Sequence, residues 1–263
     1  MTILKEIVES RRNTLVKDHG KFKFSKKLVK NPPKKTISKN IKDSSEISII
    51  SEIKPSSPTL GKIREKMDIK AIAKQMESSG VIGLSVLTEP EYFHGTFENL
   101  KIAVETTNLP CLMKDFVIDE LQFQIANQLG ATNILLINYI CDLADLFQLS
   151  LEYKLEPLIE IHSIEEINDI KHLIEIGFNP KLIGVNNRNL KTLKINLNNS
   201  KKIIPELRKI LGNKIKIVSE SGINTINDIE LVTKAGANAV LIGSSIMKSK
   251  NIKEKILSLR GII

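Results

Sequence analysis

The chain contains no tryptophan, and aromatic residues make up 4% of its 263 positions. Stacking platforms for nucleic-acid bases are therefore scarce. Its two cysteines, Cys111 and Cys141, are too few for a disulfide framework or a cysteine metal cluster, and both read as buried, reduced thiols in apolar surroundings. The four histidines form no ligand set. His94 falls in a loop, His162 follows a strand, and His19 and His172 read as surface residues. Glu160 and His162 could chelate a metal but lack a third partner at a recognisable spacing, so no metal is expected. No apolar run approaches ~20 residues, so no membrane span is expected. The opening stretch mixes apolar residues with charges of both signs and lacks the continuous apolar segment of a secretory signal, which leaves the cytoplasm as the expected compartment. No GxGxxG follows an apolar run, which argues against a dinucleotide-binding sheet.

What is present is positive charge. The net charge is +9 and the pI about 9.4. Only Arg11, Arg12, Arg64, Arg188, Arg208 and Arg260 are arginines, and they are dispersed. Lysine, asparagine and isoleucine are abundant throughout, so the charge is a bias of composition and not a patch. No nucleic-acid partner is expected. A positive field still favours capture of a small anionic substrate.

Residues 1–45 stand apart. Ile3, Ile7 and Leu15 suggest an amphipathic helix over 3–16. The lysine-rich stretch 21–42 reads as a loop with a short helix near 24–29. From residue 46 onward one theme repeats: an apolar strand, a polar turn, an amphipathic helix. Strands are expected at 48–53, 82–87, 111–113, 133–137, 156–161, 182–185, 215–219 and 239–242. Helices are expected at 68–79, 97–107, 119–129, 142–153, 164–176, 197–211, 225–235 and 252–259. Gly80, Gly130, Gly177 and Gly236 each fall just past a helix, where a left-handed cap is needed. Eight evenly spaced strand–helix units imply parallel pairing in a closed α/β barrel. In such barrels the chemistry sits at the carboxyl ends of the strands.

Every expected strand ends in polar residues. The first, within ISIISEIKPSSPTLG, ends in Glu52 and Lys54, which share a face because side chains alternate along a strand. Their cost at the end of a buried strand argues for a use. Pro55-Ser56-Ser57-Pro58 then stops the strand without opening a helix cleanly. The second strand ends in Thr88, Glu89 and Phe93, the third in Lys114, the fourth in Asn138. Glu160 sits between isoleucines in the fifth; Asn186, Asn187 and Arg188 end the sixth. Glu220, Ser221 and Gly222 end the seventh; Gly243, Ser244 and Ser245 end the eighth. Small residues with free N–H groups after the last two strands suit a phosphate. Lysines and carboxylates crowded together can have their pKa values driven apart, giving an acid and a base in one site.

In order and spacing, ILKEIVESRR, SEIKPSSPTLG, LSVLTEPEYFHGT, LMKDF, LIEIH, IGVNNRNL, SESGI and LIGSSIM resemble the indole-3-glycerol phosphate synthase family of tryptophan biosynthesis. The resemblance spans nearly the whole chain. It implies a TIM (β/α)8 barrel, residues 46–263, with an N-terminal helical extension, residues 1–45, packed over the mouth. It implies ring closure, decarboxylation and dehydration of 1-(2-carboxyphenylamino)-1-deoxyribulose 5-phosphate without cofactor or metal. By position, Lys114 matches the general acid, Glu160 the carboxylate of the later dehydration, and Lys54 the lysine that grips the substrate carboxylate, with Glu52 its partner. Asn186 and Ser221 match polar residues of the ring-closure site, and Arg188 an arginine at the mouth. Ser57, Gly222, Gly243 and Ser244 match the phosphate pocket; Phe93 and Phe116 match aromatics beside the substrate ring. The chain departs from the family at Thr59 and Leu60, at Met113 where arginine is frequent, and at Asn189 where aspartate is usual. A monomer with no fused pathway enzyme is expected. An isomerase of phosphoribosyl anthranilate is disfavoured, since that chemistry uses a Cys and Asp pair and neither cysteine ends a strand here. A non-catalytic RNA-binding barrel would reveal itself by salt-dependent retention without turnover.

Overall fold

The computed structural model describes residues 3–19, 35–42, 47–64 and 67–263. The helix expected near 24–29 lies outside the described residues. Eight parallel strands close into a barrel: β1 (Ser48–Ile53), β2 (Gly83–Leu87), β3 (Cys111–Lys114), β4 (Asn133–Ile137), β5 (Glu156–Ile161), β6 (Leu182–Asn186), β7 (Lys216–Glu220) and β8 (Ala239–Ile242), with β8 returning to β1. The helices are α1 (Ile3–His19), α2 (Ile37–Asn40), α3 (Ile69–Ser78), α4 (Phe97–Thr106), α5 (Glu120–Gln128), α6 (Leu143–Glu152), α7 (Ile167–Glu175), α8 (Asn198–Leu211), α9 (Ile226–Lys234), α10 (Ser244–Met247) and α11 (Ile252–Leu259). Helices α3 to α9 and α11 form the outer ring.

The strands are buried on both faces, as a barrel wrapped by helices requires. Alternation still sorts their side chains. Ile49 and Ile53 of β1 pack outward with the helices, whereas Ile50 joins Leu112, Leu135, Leu158, Leu182, Val218 and Leu241 inside the barrel. The same two-residue period carries Glu52 and Lys54, next after Ile50 on the inner side, up to the mouth.

Expected and observed elements differ mainly at helix starts. Asp68, Asp119, Asp142 and Thr225 are not first turns but caps, their side chains accepting backbone N–H groups of the turn that follows. The four expected cap glycines take positive φ. Several features were not foreseen, among them the short helix α2 in a stretch read as loop. Past Pro55 the chain makes a small antiparallel hairpin, pairing Ser56 with Lys62 and Ser57 with Gly61. Beyond β8 a single helical turn, α10, precedes α11.

The two ends of the barrel are treated differently. At the amino ends of the strands, Ile37 and Ile41 plug the interior. Glu156 accepts from Thr36 Oγ1 at 2.8 Å, Ser38 N at 3.0 Å and Asn133 Nδ2 at 2.9 Å, and Ile37 N donates to Asn133 Oδ1 at 3.1 Å. At the mouth, α1 lays Leu4 and Ile7 against the cavity and packs Leu15 on Leu121 and Ile125. Arg11, fully buried, clamps Asp115 with two 2.8 Å hydrogen bonds. Among the described residues no helix is long and apolar enough to cross a membrane.

Candidate active site

The residues singled out above come together at the carboxyl ends of the strands. Glu52, Lys54, Ser57, Phe93, Lys114, Phe116, Glu160, Asn186, Arg188, Ser221, Gly222, Gly243 and Ser244 all line one cavity of about 510 Å³. Its floor is charged. Lys54 Nζ lies 2.9 Å from Glu52 Oε1, as sharing a strand face requires. Lys114 Nζ lies between two carboxylates, 3.2 Å from Glu160 Oε2 and 3.0 Å from Glu220 Oε2.

Glu220 was read from the sequence only as a strand end, and it belongs to the core of this cluster. The signal that could have found it is Gly184, a glycine inside an otherwise apolar strand. Gly184 faces Glu160 in register, and a Cβ there would collide with Glu220 Oε1. The missing side chain lets Glu220 lean across β6 towards Lys114. Gly243 has a similar duty: a Cβ on it would land on the Glu52 carboxylate.

Burial and charge drive the titrations apart. Burial alone would lower the pKa of Lys114, but Glu160, Glu220 and Glu52 outweigh it and hold it above the ordinary lysine value. Burial would raise Glu160, but Lys114 and then His162 hold it below the usual carboxylate range. For Glu220 burial wins: Lys114 offsets it only in part, the neighbouring Glu160 adds to it, and the pKa is pushed up to about 7. Its Oε1 is buried without a hydrogen-bond partner, as suits a carboxyl that is neutral part of the time. Arg188 is lowered by burial, partly offset by Glu52 and Glu160. The cluster thus holds a fixed cation, a fixed anion and a carboxyl poised near neutrality.

The walls are apolar, then polar. Phe93 and Phe116 stand 6.0 Å apart between ring centroids. Glu89 fixes the Phe93 turn by accepting the N–H groups of Glu91, Tyr92 and Phe93 at 2.8–2.9 Å. Asp115, held by Arg11 and by Thr88 Oγ1 at 2.7 Å, accepts Phe116 N at 2.8 Å. Ser57, Gly222, Asn224, Ser244, Ser245 and Lys248 line the same cavity. Ser221 adopts a left-handed φ of 67° and Gly222 follows at 86°, so strain is held at this turn. Asn187 steadies it, donating to Ser221 O at 3.0 Å.

Of the departures noted above, Thr59 and Leu60 line the cavity, whereas Met113 and Asn189 do not. Met113 is fully buried and packs outward among the helices. Asn189 Oδ1 accepts from Lys191 N and Thr192 N at 2.9 Å, a task for which an amide oxygen serves. Cys111 opens β3 at the opposite end of the barrel and is buried, whereas Cys141 is half-buried, less enclosed than expected.

This is a (β/α)8-barrel enzyme site, with acid–base groups at the strand ends and small donor residues after the last two strands. The comparisons narrow the class. The sequence profile of the family described as indole-3-glycerol phosphate synthase matches residues 4–259. The indole-3-glycerol phosphate synthase of Methanocaldococcus jannaschii is 42% identical over 271 aligned positions, covering 97% of this chain and 98% of that protein. That of Staphylococcus aureus RF122 is 35% identical, covering 97% and 95%. The chain belongs to the indole-3-glycerol phosphate synthase family, decarboxylating lyases of tryptophan biosynthesis. Solved structures share the fold at low identity. A 3-hexulose-6-phosphate synthase superposes with TM-score 0.64 at 15% identity, covering 82% of this chain and all of that one. The orotidine 5'-monophosphate decarboxylase of Sulfolobus solfataricus gives 0.59 at 18%, covering 83% and 98%.

Proposed function

We propose that the mouth converts 1-(2-carboxyphenylamino)-1-deoxyribulose 5-phosphate into indole-3-glycerol phosphate, releasing carbon dioxide and water. The observation that carries this reading is Lys114, half-buried, with its ammonium held between Glu160 and Glu220 beside the Lys54–Glu52 pair. Attack of the aromatic ring carbon on the ketone puts negative charge on the carbonyl oxygen, which Lys114 neutralises and protonates. Loss of the adjacent carboxylate as carbon dioxide restores the aromatic ring. Glu160, ionised beside Lys114, then takes a proton from the methylene carbon while Lys54 gives one to the hydroxyl, which leaves as water. Lys54, oriented by Glu52, holds the substrate carboxylate, with Asn186, Arg188 and Ser221 at the ring-closure centre. Phe93 and Phe116 flank the aromatic ring, and Ser57, Gly222, Gly243 and Ser244 receive the phosphate.

In the same proposal residues 1–45 act as a helical extension of the catalytic barrel 46–263, and the protein works as a cytoplasmic monomer. In support of the extension's role, Leu4 and Ile7 of α1 line the cavity.

Paired variants test the roles. Lys114→Ala is expected to lower kcat at least about a hundredfold with KM little changed, since general acid catalysis contributes roughly 10²–10⁴-fold. Lys54→Ala should damage both constants. If Lys114→Ala keeps near-normal turnover or affects only KM, the acid lies elsewhere and Lys54 becomes the first candidate.

A further inference from the structure

The phosphate end of the cavity rests on a strained turn. β7 ends at Glu220, and the chain then passes through two left-handed residues, Ser221 with φ 67° and Gly222 with φ 86°. Glycine tolerates that region freely, but serine stays there only where its surroundings hold it. A residue's conformation is set by the two planar peptide units that meet at its Cα. For Ser221 those units carry the carbonyls of Glu220 and Ser221.

One side chain takes hold of both. Asn187 Nδ2 donates to Glu220 O at 2.9 Å and to Ser221 O at 3.0 Å, with Ser219 Oγ a further acceptor at 3.1 Å. Its Oδ1 accepts Ser200 N, in the first turn of α8, at 3.0 Å, so the amide is itself anchored. The backbone N of Asn187 also donates to Glu220 O, at 2.9 Å. Alternation puts Asn186 and Arg188 on the cavity and Asn187 behind it, buried. In a planar trans peptide the C=O and N–H point opposite ways. With both carbonyls turned to Asn187, the N–H groups of Ser221 and Gly222 are turned away from it, and both residues line the cavity. Neither N–H has a hydrogen-bond partner among the described residues. Successive free N–H groups at such a turn make a concavity for an anion.

Resting on the reading of this end as the phosphate pocket, we propose that Asn187 is a positioning residue that holds Ser221 left-handed and so aims the N–H groups of Ser221 and Gly222 at the substrate phosphate. It does not touch the substrate, and no step on the charged floor passes through it. Its effect therefore falls on binding, of the substrate phosphate and of inorganic phosphate alike. Without the amide, Ser221 is free to leave the left-handed region, and the Gly222 N–H turns from the anion.

Two variants test this. Asn187→Ala removes the amide. Asn187→Asp keeps its shape and the acceptor for Ser200 N but sets an oxygen against the two carbonyls. After circular dichroism has confirmed the fold, steady-state constants are measured with inorganic phosphate as competitor, and calorimetry follows the rise in thermal midpoint that phosphate produces. KM and the inhibition constant of phosphate should rise together by about tenfold, the worth of one weakened charge-assisted hydrogen bond. About tenfold more phosphate should be needed for the same rise in midpoint. kcat should change less than about threefold, because Glu220 keeps its bond from the backbone N of position 187. A merely structural role would lower the midpoint or the active fraction and leave both responses to phosphate unchanged, and that result would overturn the proposal. Failure of both variants to fold would overturn it too, by assigning Asn187 to the fold and not to the pocket. Failure of the activity reading is distinguishable, because the unaltered protein would then produce no indole.

Discussion

Glu220 is the residue whose chemistry is most altered by its surroundings. Its folded pKa, about 7, lies above the roughly 4.3 of an unfolded glutamate. A group raised in this way contributes stability below its unfolded pKa and loses it as pH rises through the folded value. Its ionisation therefore costs stability progressively between about pH 4 and 7, and in full above that. Glu220→Gln should raise the thermal midpoint more at pH 8 than at pH 5, as differential scanning calorimetry can measure, while lowering kcat because Lys114 loses a partner. An equal change at both pH values would mean that Glu220 stays ionised in the folded chain. The phosphate end needs a substitution that spares the floor. Gly243 is unsuitable, because any side chain there meets Glu52. Ser244→Asp places a negative charge among the proposed phosphate donors and should raise KM at least about tenfold through like-charge repulsion, with kcat less affected. Unchanged KM would move the phosphate elsewhere. Alternation made Glu52, Lys54, Lys114 and Glu160 legible in the sequence as neighbours in the mouth. Glu220 escaped because its place depends on a gap left by Gly184 in the adjoining strand, a relation between residues 36 positions apart.

The elements show the same division between local and distant causes. Strands and outer helices were readable to within a few residues, since strand burial and helix amphipathicity leave local periods and caps leave local signatures. The hairpin at Ser56–Ser57 and Gly61–Lys62 was not, because it is held partly from another loop: Ser56 N donates to Phe93 O at 3.1 Å. Nor was the floor of the barrel, where Thr36, Ile37 and Ser38 meet Asn133 and Glu156 from β4 and β5. The floor separates two truncations. Removing residues 1–34 strips α1 from the mouth, with its Leu4 and Ile7 wall and the Arg11 clamp on Asp115, but leaves the plug. KM should rise while the barrel stays folded. Extending the deletion through residue 42 also exposes the barrel interior and leaves the buried Asn133 side chain without partners from the plug, so the thermal midpoint should fall well below that of the shorter truncation. Equal thermal midpoints for the two truncations would deny Ile37 and Ile41 their part in holding the barrel, and an unchanged KM would deny α1 its place at the substrate.

At the scale of the whole molecule, the fold divides its tasks between the two ends of one barrel. The amino ends of the strands are sealed by packing and hydrogen bonds, whereas the carboxyl ends hold charges that packing alone would not justify. A net charge of +9 surrounds that open end with a field that favours an anionic substrate and should weaken with salt. The central claim is that this mouth closes an indole ring with side chains alone. The direct measurement is indole absorbance after adding 1-(2-carboxyphenylamino)-1-deoxyribulose 5-phosphate to the purified protein in excess chelator. Saturable turnover that chelator leaves unchanged, and that Lys114→Ala lowers at least about a hundredfold, is the expected result. No indole from the unaltered protein, or turnover that disappears with the chelator, would contradict it.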